Sequence, residues 1–426
     1  MSHGATVNIN LAEVIEAEPL RVSSTLARWM WLFIIIGTVA FLLGLILDTP
    51  QHFWGCFFVN LCFFMGMSCG AVVLSAIFQV VRAKWAAPLT RICEANVAFL
   101  PWAFILWLST YFGKEILYPW AREPMPGREW WMQPDFVYGR FIVLFGLLFY
   151  FMHKLVKYSL RGDVGFLREH ALNKERWAGH HYDVLTAGWK GSAAEIAEIQ
   201  PKRSWYSPLV IALYGVIYSL FVFEMVMAMD PIWYANMFGG FNFIGNIYMG
   251  WAVLNITSLL LAWNHERFAK VLHVDQFWDM GKMTLAFCIL WGYMFWAHFL
   301  PQWYGNLPEE TQWMILRTRE FPWKGLGWVT FALCFITPFI LLLSRDIKKS
   351  PKYFIRIGFI ILTGMWLEKY MVIMPQLSPS RIPFNGLEIG LFLGFLGIYV
   401  LAVRSFLAKY PFISVAHPLS RGSQRW

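Results

Sequence analysis

The chain has 426 residues, of which 58% are hydrophobic and 19% aromatic, with a mean hydropathy of +0.49. Only 14% are charged, where a soluble domain carries about a quarter, so a water-soluble globular protein is excluded and an all-α polytopic membrane protein is implied. The net charge of +9 has a topological origin, shown below by its placement, and implies no nucleic-acid partner.

The first residues, MSHGATVNINLAEVIEAEPLRVS, lack a basic n-region and an apolar h-region, so residues 1–28 are expected to be a cytoplasmic segment and not a cleaved signal. Apolar runs long enough to cross the roughly 30 Å hydrocarbon layer predict ten spans at 29–47, 53–81, 92–112, 137–158, 206–228, 241–262, 278–300, 325–343, 353–374 and 387–408. They form a membrane domain over 29–408, followed by a tail over 409–426. Two connections are long: the aromatic, proline-rich 113–136, and the polar 159–205, too small to be a domain. The six cysteines, Cys56, Cys62, Cys69, Cys93, Cys288 and Cys334, lie nearly all in apolar runs without CxxC spacing. They are expected to be core residues, with no disulfide framework or iron–sulfur site. Alternating the loops across the membrane puts 26 of the 35 Lys and Arg residues on the side of both termini. The positive-inside rule makes that side cytoplasmic; a bacterial inner membrane is what the family resemblance given below implies.

An internal repeat follows from spacing. Arg82 and Glu94 are twelve apart, as are Arg267 and Asp279; Glu224 precedes Pro231 by seven, as Glu368 precedes Pro375, in EMVMAMDP and EKYMVIMP. Two parallel-related four-helix bundles are predicted, spans 2–5 (53–228) and spans 6–9 (241–374), flanked by spans 1 and 10.

Span 7 carries the most polar pattern. At 100° per residue Asp279, Lys282, Ala286, Tyr293 and Ala297 share one face, and because charged groups in lipid normally turn to the bundle interior, the helix is predicted to be an inner wall. Each unit has an acid at its cytoplasmic end, Glu94 or Asp279, and one in its outer half, Glu224 or Glu368 with Lys369 and Tyr370 beside it. Desolvation favours the neutral form of a carboxyl and a nearby cation its charged form, so such acids can exchange protons. Glu94, Asp279, Lys282, Tyr293, Glu224, Glu368, Lys369 and Tyr370 are therefore the candidate proton path. The competing structural reading has Glu94 and Asp279 complementing helix dipoles and pairing with Arg91 or Lys282, and Glu224 and Glu368 in buried ion pairs. The only His residues well inside spans, His153 and His298, lie near opposite faces, which argues against haem. No Walker loop, GxGxxG fingerprint, HExxH or nucleophile elbow occurs in a suitable context. No metal site is expected and no catalytic residue is assigned. Trp, Phe and Met suffice to line a quinone groove, and equally fill any membrane bundle.

Two stretches carry a family resemblance. Asp230–Pro231–x–Trp233–Tyr234 with ANMFGGFNFIGNIYMG resembles the connection between spans 5 and 6 of the polysulfide-reductase-type membrane subunits, and DMGKMTLAFCILWGYMFWAHFLPQWYGNLPEET their span 7 and exit loop. Trp303–Tyr304–x–Asn306–x–Pro308–Glu309–Glu310–Thr311 is the most specific piece, and most of the chain is covered. The chain departs from the pattern at Ile232, where His is frequent, and at Ala297–His298, where Ser-Gln is common. Within the family the resemblance is to the second such subunit of bacterial alternative complex III, a quinol:electron-acceptor oxidoreductase. It implies a non-catalytic subunit that binds no cofactor itself and conducts protons, with a quinone or menaquinone surface left open. The implied partners are a homologous quinol-binding membrane subunit, an iron–sulfur protein, c-type cytochromes carrying haem c, small membrane subunits and the lipid bilayer. Two other classes stay open: a secondary transporter with parallel repeats, although Pro101 and Pro338 do not correspond within the repeats, and a purely structural anchor with ion-paired acids.

Overall fold

The computed structural model describes residues 23–171, 173–272 and 274–414; residues 1–22 of the expected N-terminal segment and 415–426 of the tail lie outside it, as does the side chain of Arg267, one of the repeat markers. Among the described residues ten helices are long and apolar enough to cross a membrane: α1 (Ser24–Leu47), α2 (Pro50–Val80), α3 (Thr90–Leu117), α4 (Pro134–His170), α5 (Ser192–Met229), α6 (Phe238–Asn264), α7 (Val274–Gly305), α8 (Trp323–Leu343), α9 (Pro351–Leu377) and α10 (Gly386–Lys409). The protein is an all-α polytopic membrane protein. An even number of spans returns the chain to the face it started from, called proximal here; the other face is distal. At the proximal face the Tyr182 hydroxyl donates to the Lys409 carbonyl at 2.6 Å, tying the polar 159–205 segment to the end of α10. That segment is largely helical continuation, since α4 and α5 run through both its ends and are joined by Arg161 and Glu195 at 2.7 Å.

The helices α2, α3, α4 and α5 close into one ring of four and α6, α7, α8 and α9 into another, while α1 lies along α10 at one side. Between the rings α2 meets α6 and α9, and α6 meets α5. Almost all of α2 is buried and most of α6, which makes these two the core. They cross where side chains are absent: a Cβ on Gly70 would lie 1.9 Å from the Asn246 carbonyl oxygen, and one on Gly250 would lie 2.8 Å from the backbone of Gly70 and Ala71. Small residues permit such approach in lipid, where packing replaces the hydrophobic drive. Gly70→Val should therefore cost about 3 kcal/mol, at the upper end of over-packing. Thermal unfolding of the detergent-solubilised protein measures this, and an unchanged transition would contradict the crossing.

Prolines shape the second ring. Pro338 cannot donate to the Cys334 carbonyl, one turn back, and a π-turn spans Ala332–Ile336 there. The freed carbonyl accepts from the Tyr248 hydroxyl at 3.2 Å. In α9 Pro375 likewise frees the carbonyl of Met371, with consequences for the site below.

The inward face of α7 differs from the expectation. Only 22% of its apolar window is buried, and its buried side chains include Met280, Thr284, Cys288, Trp291 and His298. The predicted stripe points outwards: Lys282 and Ala286 are exposed, Asp279 and Ala297 half-buried, and Tyr293 is 64% exposed. Asp279 and Lys282 pair with each other at 2.5 Å at the proximal end of the helix. A charge at a span's end reaches the headgroups and needs no bundle interior, whereas the small and aromatic face packs closely.

Candidate functional site

The site grows from three consecutive residues on α9. Glu368, Lys369 and Tyr370 are all buried, and successive side chains on a helix diverge by about 100°, so each serves a different neighbour. Lys369 reaches α6, where its Nζ donates to the Asn242 Oδ1 at 2.7 Å, and stands 2.9 Å from the Glu368 carboxylate. The Tyr370 hydroxyl turns towards α10 and lies 3.3 Å from the Glu388 carboxylate. Glu368 lines a cavity of about 710 Å³ within the second ring, in its distal half.

Aromatic rings from α6, α7 and α8, among them Phe241, Trp291, Phe295 and Phe331, wall this cavity. Its polar lining includes Glu368, His298, Gln302 and Arg317. His298, Gln302 and Glu368 are 6%, 3% and 4% exposed. Yet the His298 Nδ1 and both polar atoms of the Gln302 amide have no hydrogen-bond partner among the described residues, and the Glu368 oxygens have only the ion pair with Lys369. An unsatisfied buried polar group costs about 1–3 kcal/mol, so these atoms require water or the polar groups of a ligand. Trp296, Trp303 and Trp328, each more than half exposed, form the rim between α7 and α8.

Arg317 closes the distal end. It stands on the short helix Pro308–Thr318, donates through Nε to the Met371 carbonyl at 2.7 Å and through an Nη to the Val372 carbonyl at 2.9 Å. Its first acceptor is the carbonyl that Pro375 leaves free, and both lie at the negative end of the α9 dipole. Burial holds the Arg317 pKa below the usual arginine range, a shift opposed by the Asp230 carboxylate; a guanidinium remains charged nonetheless. The cation lies 3.7 Å over the Trp313 ring, which stacks on Trp233 at 4.0 Å.

The other predicted residues fall elsewhere. Glu224 accepts from the Trp131 indole at 2.8 Å and from Arg140, so both its carboxylate oxygens are engaged, in the distal half of the first ring. Glu94 lies in a buried network at the proximal face: Arg91 donates to it at 2.5 Å and also to Asp163, while Arg203 stands 3.6 Å away. Asp279, Lys282 and Tyr293 do not join the buried groups, because their face of α7 turns outwards. Of the eight, Glu368 lines the cavity and Lys369 backs it through their ion pair, and Tyr370 belongs to an adjoining cluster in which His52 bridges Asp48 at 2.8 Å and Glu388 at 2.7 Å. His52, Cys56 and Glu388 lie close enough to hold a metal ion, but in this structure the His52 Nε2 is engaged by Glu388 itself, a bond that an ion there would replace.

His298, Gln302, Arg317 and Asn242 were not among the predicted residues. One signal did exist for Arg317, since a proline in α9 orphans a carbonyl that some donor must meet. Compared with known protein families and with curated proteins, the chain matches none.

Proposed function

We propose that this chain is a non-catalytic membrane subunit of a quinol-oxidising electron-transfer complex of the alternative complex III type, in which it carries protons through its second ring. The observation that supports the proton role is Glu368: a buried carboxylate with one partner, facing a large cavity beside the unpartnered His298 and Gln302. On α6, Asn246 and Asn242 lie four residues apart and so share a face. Asn246 holds the Tyr214 hydroxyl at 2.9 Å near the ring interface, and Asn242 holds Lys369. With the unpartnered Asn246 Oδ1 at the α2–α6 crossing, they mark a polar line towards Glu368 that water can complete. The aromatic walls and separate polar groups also suit a quinone or menaquinone ring, with Glu368 and His298 as its proton partners.

Membership of the complex is supported by the resemblance of the α7 exit loop, and orientation by the 26 of 35 basic residues on the proximal, cytoplasmic side. A transporter is the second reading, favoured by the π-turn at Ala332–Ile336, whose Phe335 lines the cavity; discontinuous helices at a cavity are a transporter trait. Purification from native membranes in mild detergent separates the two. Copurification with a c-type cytochrome and an iron–sulfur protein, read by haem absorbance and mass spectrometry, is expected. A homogeneous preparation of this chain alone would contradict the complex.

A further inference from the structure

At the proximal face, away from the cavity, the ends of α7 and α8 build a cationic shelf around one indole. Trp278, half-buried near the start of α7, has the Lys282 Nζ at 4.5 Å from its ring centroid, the Arg345 guanidinium at 4.8 Å and the Lys349 Nζ at 4.9 Å. Arg345 and Lys349 stand on the short helix Arg345–Lys349, which joins α8 to α9 and packs on α7. Lys348, from the same helix, lays its stem over Gly281, where a Cβ would lie 2.6 Å from the Lys348 Cγ, and is only 7% exposed. Burial, and then Lys282, lower its pKa.

Charge balance here is one-sided. Asp279 pairs with Lys282 at 2.5 Å, but among the described residues no ion pair joins Arg345, Lys348 or Lys349 to a carboxylate. Asp275 and Asp346 are the remaining acids of these two helices, against Lys352 and Arg356 on the first turns of α9. Cations gathered within 5 Å of one ring repel each other, and aromatic faces attract them only modestly. The arrangement needs an anion.

We propose that this shelf binds the phosphate of an anionic phospholipid. Its depth favours a lipid over a soluble phosphate. The shelf sits where spans leave the hydrocarbon, and Ile289 and Leu290 of α7 with Ile340 and Leu343 of α8 are exposed along the spans above it, giving acyl chains an apolar path. Basic pockets between spans at the cytoplasmic side recognise such headgroups, and each Lys or Arg near the surface strengthens association about fivefold. The Arg345 and Lys349 side chains supply the outer contacts beside the Trp278 ring, and the buried Lys348 the inner one.

Native mass spectrometry of the intact detergent-purified protein, loaded with cardiolipin or phosphatidylcholine, tests this. Retained cardiolipin is expected for the unaltered protein, and about 25-fold weaker retention for Arg345→Ala/Lys349→Ala, two charges at fivefold each. Lys202→Ala, an exposed cation elsewhere on the same face, should retain cardiolipin fully and serves as the control. Equal retention by the double variant, or equal retention of phosphatidylcholine, overturns the proposal. So does displacement of cardiolipin by millimolar inorganic phosphate, which would assign the shelf to a soluble anion.

Discussion

Replacing Arg91 by Met is expected to prevent stable accumulation of the subunit, at a cost of about 3–5 kcal/mol. Arg91 is fully buried and donates to Glu94, to Asp163 and, at 3.4 Å, to Ser159. It thereby joins α3 to α4, and Arg203 brings α5 to the Glu94 carboxylate. Methionine fills comparable volume without charge, so packing survives while Glu94 and Asp163 both lose the buried cation that they share. Breaking a buried ionic cluster costs more than the cluster contributes, because an uncompensated charge remains. Arg91→Met combined with Glu94→Gln removes one charge of each sign and should recover part of the loss. Thermal unfolding in detergent and membrane abundance read both variants. Equal melting of Arg91→Met and the unaltered protein would show that the cluster is not what holds the first ring together.

The spans were legible in the sequence because length and hydropathy alone set them, and each of the ten runs lies within a helix of the fold or overlaps one closely. Facing was harder. Periodicity places Asp279, Lys282 and Tyr293 on one side of α7, but it does not say which side meets the bundle. Density of Trp, Phe and small residues decided that, through Met280, Gly281, Cys288 and Trp291. Glu368 and Lys369 could be singled out because two adjacent charges in an apolar run have few benign explanations. For Arg317 Pro375 signals only that a carbonyl of α9 needs a donor, not which donor, because the carbonyls that it meets are 54 and 55 residues away. The same holds for His52, whose partner Glu388 is 336 positions distant. Local pattern carries no information about such pairs.

Glu368→Gln should uncouple proton release from electron flow while leaving the fold in place. Glutamine keeps the shape of the side chain and can still hydrogen-bond Lys369, but it has no titratable proton to pass to the cavity. The substitution leaves Lys369 buried with Asn242 as its hydrogen-bond acceptor, and an unpaired buried cation is costly. Glu368→Gln/Lys369→Met therefore accompanies it, removing both charges together and separating loss of titration from loss of stability. The decisive measurement is the number of protons released per electron during quinol oxidation, with the assembled complex in proteoliposomes. Both variants should assemble, retain their cytochromes and release fewer protons per electron than the unaltered complex. An unchanged ratio in a fully assembled Glu368→Gln complex would contradict the proton role of this cavity.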